Sequence, residues 1–99
     1  MTPEGKIQAY LVKRVHETGG AYRRLQWIGR NGAPDVIAWW PDGSVAFIEV
    51  KALGEKPTKQ QLYEHRQMIE TGLDVYVVDS KETIESMLKE LNKCPQSTS

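Results

Sequence analysis

The chain has 99 residues and a mass of 11.2 kDa, the size of one small domain. Hydrophobic residues make up 39% of it and charged residues 26%, an ordinary globular composition that excludes a disordered chain. Thirteen lysines and arginines balance thirteen aspartates and glutamates. The net charge is therefore zero, which by itself argues against a nucleic-acid-binding protein.

Several other classes are excluded by the distribution of apolar and cysteine residues. No apolar stretch approaches the roughly 20 residues that a membrane-spanning helix needs. The single Cys94 excludes an intramolecular disulfide and a cysteine-rich zinc site. The first residues lack the basic and apolar segments of a secretory signal. We therefore expect a soluble, intracellular protein located in the cytoplasm.

The zero net charge conceals an uneven distribution. Residues 1–34 carry six basic and two acidic side chains, a net charge of +4. Residues 35–99 carry seven basic and eleven acidic side chains, a net charge of −4. Such a separation suggests an anionic partner, although ordinary scatter in a small charged protein explains it equally well.

The first predicted element is a helix that Thr2 caps and that begins at Pro3, where the missing N–H of proline has no cost. Apolar residues recur at helical spacing until the glycine pair at 19–20. A strand is expected over residues 21–28, and the Gly-Arg-Asn-Gly sequence at 29–32 predicts a turn.

Two further strands are predicted around a tight turn. The segment 35–40 is mostly apolar and is expected to be a strand that is buried on both faces. The sequence Pro-Asp-Gly-Ser at 41–44 is typical of a hairpin turn, and a third strand is expected over 45–50. The second and third strands should therefore pair antiparallel.

The last third of the chain predicts two helices around one strand. Thr58 and Gln61 fit a capping box, and the helix that they begin should end at Gly72. The β-branched segment 75–78 predicts a fourth strand, and Ser80 caps a last helix with a regular apolar stripe.

The order α-β-β-β-α-β-α predicts an α/β fold with a mixed four-stranded sheet flanked by helices. We expect a single domain over residues 1–93. The polar residues 94–99 should form a frayed carboxy-terminal tail.

Three chemically distinctive residues should meet at one end of this sheet. Asp35 opens the second strand, whereas Glu49 and Lys51 close the third. In a hairpin the start of one strand lies beside the end of the next. Residues two apart on a strand also share a face.

Two carboxylates and a backbone carbonyl are hard oxygen ligands that suit Mg²⁺ or Mn²⁺. Such an ion neutralises the charge of a scissile phosphate and activates water. A lysine beside it, here Lys51, can orient or deprotonate that water and stabilise the anionic transition state. The three residues together therefore predict phosphodiester hydrolysis. Taken singly, Asp35 could be a turn residue after Pro34, and Glu49 and Lys51 could be a surface ion pair.

Four segments of the chain resemble a known nuclease family. They are the sequence Gly-Ala-Pro-Asp-Val-Ile-Ala at 32–38, the sequence Ile-Glu-Val-Lys at 48–51, Gln61, and Gly72 with the strand at 75–78. The pattern, from about Glu4 to Ser80, is similar to the virus-type replication-repair nuclease (VRR-NUC) family of the PD-(D/E)xK nuclease superfamily. This resemblance implies a restriction-endonuclease-like core.

The resemblance also implies roles for individual residues. Asp35 and Glu49 would ligate the metal, with the Val50 carbonyl as a further ligand, and Lys51 would position the attacking water. Glu4 would be a direct or outer ligand, although the helix dipole favours an acid at that position in any case. Gln61 matches a glutamine that points at the site, although the capping box alone explains it.

The implied substrate is branched DNA, such as four-way (Holliday) junctions or flaps, and the implied assembly is a homodimer. Replication or repair proteins are possible further partners, and no membrane association is expected. Five basic residues are candidates for phosphate-backbone contacts, or else are solvated surface charges. They are Arg23, Arg24, Arg30, Lys59 and Arg66.

Two other functions remain open on the sequence. The chain could be a non-catalytic DNA-binding or assembly module on a nuclease scaffold. It could also be a restriction-like duplex nuclease, although it has no segment long enough for a separate recognition domain.

Overall fold

The computed structural model describes residues 1–93. Its helices and strands confirm the predicted α/β class and the order α-β-β-β-α-β-α; the predicted tail at 94–99 lies outside the described residues. Within residues 1–93, no helix is both long and apolar enough to cross a membrane. The elements are α1 (Pro3–Glu17), β1 (Ala21–Arg24), β2 (Val36–Trp39), β3 (Val45–Val50), α2 (Lys59–Glu70), β4 (Asp74–Val78) and α3 (Lys81–Glu90).

The four strands form one mixed sheet in the order β1-β2-β3-β4. β2 pairs antiparallel with both β1 and β3, while β4 pairs parallel with β3. The turn at 41–44 closes the β2–β3 hairpin as expected, since the Gly43 N–H donates to the Trp40 carbonyl at 2.9 Å. The Asp42 carboxylate braces the turn by accepting from the backbone and hydroxyl of Ser44.

The hydrophobic core lies on one face of the sheet, which we call the core face. α1 and α3 both pack there, against the sheet and against each other. The helices contribute apolar residues at helical spacing, and the strands contribute every second residue, as a one-sided core requires. The buried members are Leu11, Val15, Val36, Ala38, Trp40, Ala46, Ile48, Val50, Val78, Ile84, Met87 and Leu88.

The opposite face of the sheet is covered less completely, and we call it the α2 face. α2 packs mainly against β4, so β2 is less covered on this side. Ile37 is only half-buried and Trp39 is 37% exposed. The prediction that the second strand is buried on both faces is therefore wrong, because the apolar run alone cannot reveal where the covering helix lies.

β1 is also shorter than predicted, since it ends at Arg24 and not at residue 28. After one more backbone hydrogen bond, from Leu25 N–H to the Asp35 carbonyl at 2.8 Å, the chain leaves the sheet. Trp27 then folds back: its indole N–H donates to the Pro34 carbonyl at 2.6 Å, and its ring lies 6.2 Å from that of Phe47. These contacts with Pro34 and Phe47 keep Trp27, one of the apolar residues that suggested a longer strand, out of β1.

The loop between β1 and β2 is attached to α2 by several contacts. Arg30 forms an ion pair with the buried Glu64 at 2.5 Å. Gly32 lies so close to α2 that a Cβ atom there would stand 2.8 Å from the Gln60 carbonyl oxygen. The loop that leads into Asp35 is thus held by the helix on the α2 face.

We expect Gly32→Ala to destabilise the protein by about 2–3 kcal/mol, because Gly32 has a φ of +87° and because a methyl group would displace the Gln60 backbone. Urea unfolding measures the loss. Gly29→Ala is the matched control, since Gly29 has a φ of +80° but open space around it. That variant should lose only about 1 kcal/mol. Equal losses in the two variants would show that the contact with α2 contributes nothing.

Candidate active site

The register of the β2–β3 hairpin places Asp35 opposite Glu49. Val36 pairs with Ile48. When this register is continued by one residue, away from the turn, Asp35 lies opposite Glu49. Opposed residues of an antiparallel pair share a face, which here is the α2 face. Lys51 follows two residues after Glu49 on the same side. The structure thus brings Asp35, Glu49 and Lys51 together at one end of the sheet, and we call the two acids the carboxylate pair.

Asp35 is held by backbone contacts on both sides. Its carbonyl accepts the hydrogen bond from Leu25, and its Oδ1 accepts from the Val50 N–H at 3.3 Å. Partial burial raises the pKa of Asp35, while the Val50 N–H and the charges of Arg24 and Lys51 oppose that rise. The carboxylate is therefore fixed in position, and the nearby donor and positive charges only partly offset the effect of its burial.

Glu49 is the most perturbed acid of the site. Its side chain is buried, with 5% of the residue exposed. Burial is the main cause that raises its pKa to about 7, and the Asp35 charge is the second. Lys51 lowers the pKa but does not offset these effects, and Glu4 raises it further. At neutral pH the site therefore holds a carboxyl group that would gain from a nearby cation.

The other two predicted site residues are Glu4 and Gln61, and they lie outside the carboxylate pair. Glu4 is exposed in the first turn of α1, and it is close enough to Glu49 for its charge to act on that carboxyl group. Gln61 completes the capping box of α2. Its Oε1 accepts from the Thr58 N–H at 2.9 Å, and its own N–H donates to Thr58 Oγ1 at 3.1 Å. The side-chain oxygen of Gln61 is thus engaged in the cap.

His65 is a residue beside the carboxylate pair that the sequence analysis did not single out. It is buried on α2, and its Nε2 lies 3.4 Å from Oε1 of Glu49. Burial is the main cause that lowers its pKa, and Lys51 adds to the effect, so the surroundings favour the neutral ring. The signal in the sequence was its position four residues after Gln61, which places both side chains on one face of the helix.

The five basic candidates divide between the two sides of the carboxylate pair. On the β1 side, Arg24 lies close enough to act on Asp35, and Arg23 stacks 5.5 Å above the Trp39 ring. On the α2 side, Lys59 and Arg66 are exposed and line a shallow cavity of about 290 Å³. Arg30 differs from the other four because it is paired with Glu64.

The carboxylate pair fits a hard divalent cation. Within residues 1–93, no three His, Cys, Asp or Glu side chains are grouped so that they could hold an ion by themselves. Asp35 and Glu49 would supply two oxygen ligands, and the Val50 carbonyl and water would supply others. Mg²⁺ is commonly held in this way, by one or two carboxylates with several waters and substrate phosphates.

Comparison with known proteins places the chain and its fold in a family. Residues 22–82 match the VRR-NUC domain. Putative nuclease p44 of Acyrthosiphon pisum secondary endosymbiont phage 1 is 39% identical over 89 residues, which cover 90% of this chain and 95% of the phage protein. A solved structure described as a VRR_NUC domain superposes with a TM-score of 0.85 at 37% identity, covering 90% of this chain and 97% of the other. The chain therefore belongs to the VRR-NUC family of nucleases.

Proposed function

We propose that the protein is a Mg²⁺- or Mn²⁺-dependent endonuclease that hydrolyses phosphodiester bonds in branched DNA. The observation that supports it best is the carboxylate pair, in which Glu49 is buried opposite Asp35 and has its pKa raised to about 7. Two acids forced together in this way form a site that a divalent cation stabilises. Family membership supports the nuclease activity.

Each residue of the site has a distinct task in this proposal. Asp35 and Glu49 hold the cation, with the Val50 carbonyl beside them, and Glu4 acts as an outer ligand. The chemistry that the ion supplies when bound is charge neutralisation at the scissile phosphate and activation of water. Lys51 forms no ion pair within residues 1–93, so its ammonium is available to orient the attacking water and to stabilise the charge that develops on the phosphate.

The basic residues on both sides of the carboxylate pair support a nucleic-acid substrate. Arg23 and Arg24 on one side, with Lys59 and Arg66 on the other, could contact phosphates of two strands or two arms of DNA. Arg30 would contribute only if it left Glu64. Since the net charge of the chain is zero, we expect weak non-specific affinity, so that shape and the local arginines select the substrate.

The proposal is tested by incubating the purified protein with Mg²⁺ or Mn²⁺ and labelled four-way junctions, flaps, single strands and linear duplex. We expect the branched substrates to be cut and the activity to disappear with chelator. Cleavage of no substrate would favour a non-catalytic binding module. Cleavage of linear duplex alone would favour a restriction-like nuclease.

In the same assay, Asp35→Ala and Lys51→Ala should each lower the cleavage rate by at least about 1,000-fold, because each removes a group at the reacting phosphate. Both residues lie at strand ends outside the core, so circular dichroism and the melting temperature should change little. Lys56→Ala, which removes an exposed lysine from the loop after β3, is the control and should retain activity. Metal-dependent cleavage by Asp35→Ala would contradict the assignment.

The pKa of Glu49 also predicts how stability depends on pH. Because its pKa in the folded state is raised, folding favours the protonated form, and this contribution is lost as the pH rises from about 4.5 to about 7. We expect Glu49→Gln to raise the free energy of unfolding of the metal-free protein at pH 8 by about 1–3 kcal/mol. Chemical denaturation between pH 4 and 8 measures this.

The same experiment includes Glu70→Gln, an exposed substitution at the end of α2, which should leave stability unchanged. Added Mn²⁺ should stabilise the wild type at pH 8 more than it stabilises Glu49→Gln. A Glu49→Gln variant that is less stable than the wild type at pH 8 would contradict the electrostatic account.

We also propose that the protein forms a homodimer through the α2 face. Apolar side chains remain exposed there: Trp39 and Val45 are each 37% exposed, and Leu62 and Ile69 are about half exposed. A second copy of the chain would cover them.

Light scattering should therefore give about twice the 11.2 kDa mass of one chain. Trp39→Glu should shift the population toward monomer, because it places a charge in the contact. Leu53→Glu is the control, since Leu53 is exposed on the loop after β3 and outside the sheet. A wild-type protein that stays monomeric at all concentrations would contradict the dimer.

A further inference from the structure

The roles above do not explain the contact between the buried polar atoms of His65 and Glu49. The two residues are 4% and 5% exposed, and Nε2 and Oε1 lie 3.4 Å apart. Neither atom has a hydrogen-bond partner in the part of the chain that the structure describes. Leaving a buried polar group unpaired costs about 1–3 kcal/mol, so such a pair in a small protein calls for an explanation.

The position of His65 is determined by the packing of α2. The capping box at Thr58 and Gln61 fixes the start of the helix, and its contact with β4 fixes the face that it turns to the sheet. One turn to either side, Leu62 and Ile69 line the same cavity of about 350 Å³ as His65, together with Val75 and Val77. Glu49 lies opposite Val77 in the parallel register.

Asp35 and His65 therefore approach Glu49 from different directions. Asp35 is across the hairpin, immediately before β2, and His65 is above on α2. The helix is additionally attached to the loop that leads into Asp35, through the ion pair of Glu64 with Arg30. Both members of the carboxylate pair are thus located with respect to α2.

We propose that His65 is a positioning residue for the nuclease site, in which its Nε2–H donates a hydrogen bond to Oε1 of Glu49 and leaves Oε2 to the cation. This inference rests on the proposed metal-dependent function. A carboxylate that binds a cation is ionised and can only accept, so in the occupied site the hydrogen must come from the imidazole. The distance of 3.4 Å is longer than a usual N–H···O bond, and hydrogen bonds of this kind commonly tighten when the site is filled.

The alternative is that His65 only fills space beneath α2. Side chains of similar size then substitute for it whether or not they carry an N–H. Gln and Asn separate the two explanations, because the amide of Gln reaches the position of Nε2 and that of Asn is one methylene shorter. Leu keeps the volume and removes the donor.

The experiment measures Mn²⁺ affinity by calorimetry without DNA, and kcat and KM on the best branched substrate. His65→Leu and His65→Asn should weaken Mn²⁺ binding by about 10-fold or more and lower kcat, while KM for DNA is unchanged. His65→Gln should remain within about 3-fold of the wild type. Leu62→Ala, the control in the same cavity, should change the melting temperature but not the Mn²⁺ affinity.

Each outcome bears on the inference. Wild-type Mn²⁺ affinity and kcat in His65→Asn, or in a folded His65→Leu, would overturn it. A His65→Gln protein as weak as His65→Asn would also overturn it, because a bond from Nε2 would then not be the relevant contact. If the wild type binds no Mn²⁺ and cuts no DNA, the proposed function itself fails and the positioning role fails with it.

Discussion

The antiparallel register of β2 and β3 forces two carboxylates to face each other at the end of the hairpin. Val36 opposite Ile48 leaves Asp35 opposite Glu49, and the turn closed between Trp40 and Gly43 prevents a shift. A slip of one residue would move every side chain of a strand to the other face, so Glu49 would enter the core and Ile48 would leave it. The same register therefore builds the core and the site.

The rest of the fold stabilises this unfavourable pair. α1 and α3 bury the core face, and that burial supplies the stability that holds the sheet. On the other side, the loop before Asp35 and the helix α2 confine the pair through Trp27, Gly32 and the Arg30–Glu64 ion pair. Burial first, and the charge of Asp35 second, raise the pKa of Glu49 and so disfavour its ionised form. A divalent cation, the partner that we propose, would stabilise the ionised pair.

Local patterns were sufficient to predict most of the framework. Thr58 with Gln61, and Ser80, were recognised as caps because capping depends on residues three apart in the chain. The pairing of Asp35 with Glu49 followed from one tight turn. Contacts between distant segments could not be predicted in this way. They include the turn of Trp27 onto Phe47, which shortened β1, and the ion pair of Arg30 with Glu64. His65 was missed for the same reason, since its partner Glu49 lies on another element.

The zero net charge also has a different meaning once the site is known. It sums a basic first third and an acidic remainder, and two of those acids form the carboxylate pair that a cation would neutralise. The most direct test of this account is a crystal structure from protein soaked in Mn²⁺, with anomalous diffraction used to locate the ion. The account predicts a peak in contact with the carboxylates of Asp35 and Glu49 and the carbonyl of Val50. A fully occupied Mn²⁺ site elsewhere, with no peak at the carboxylate pair, would contradict it.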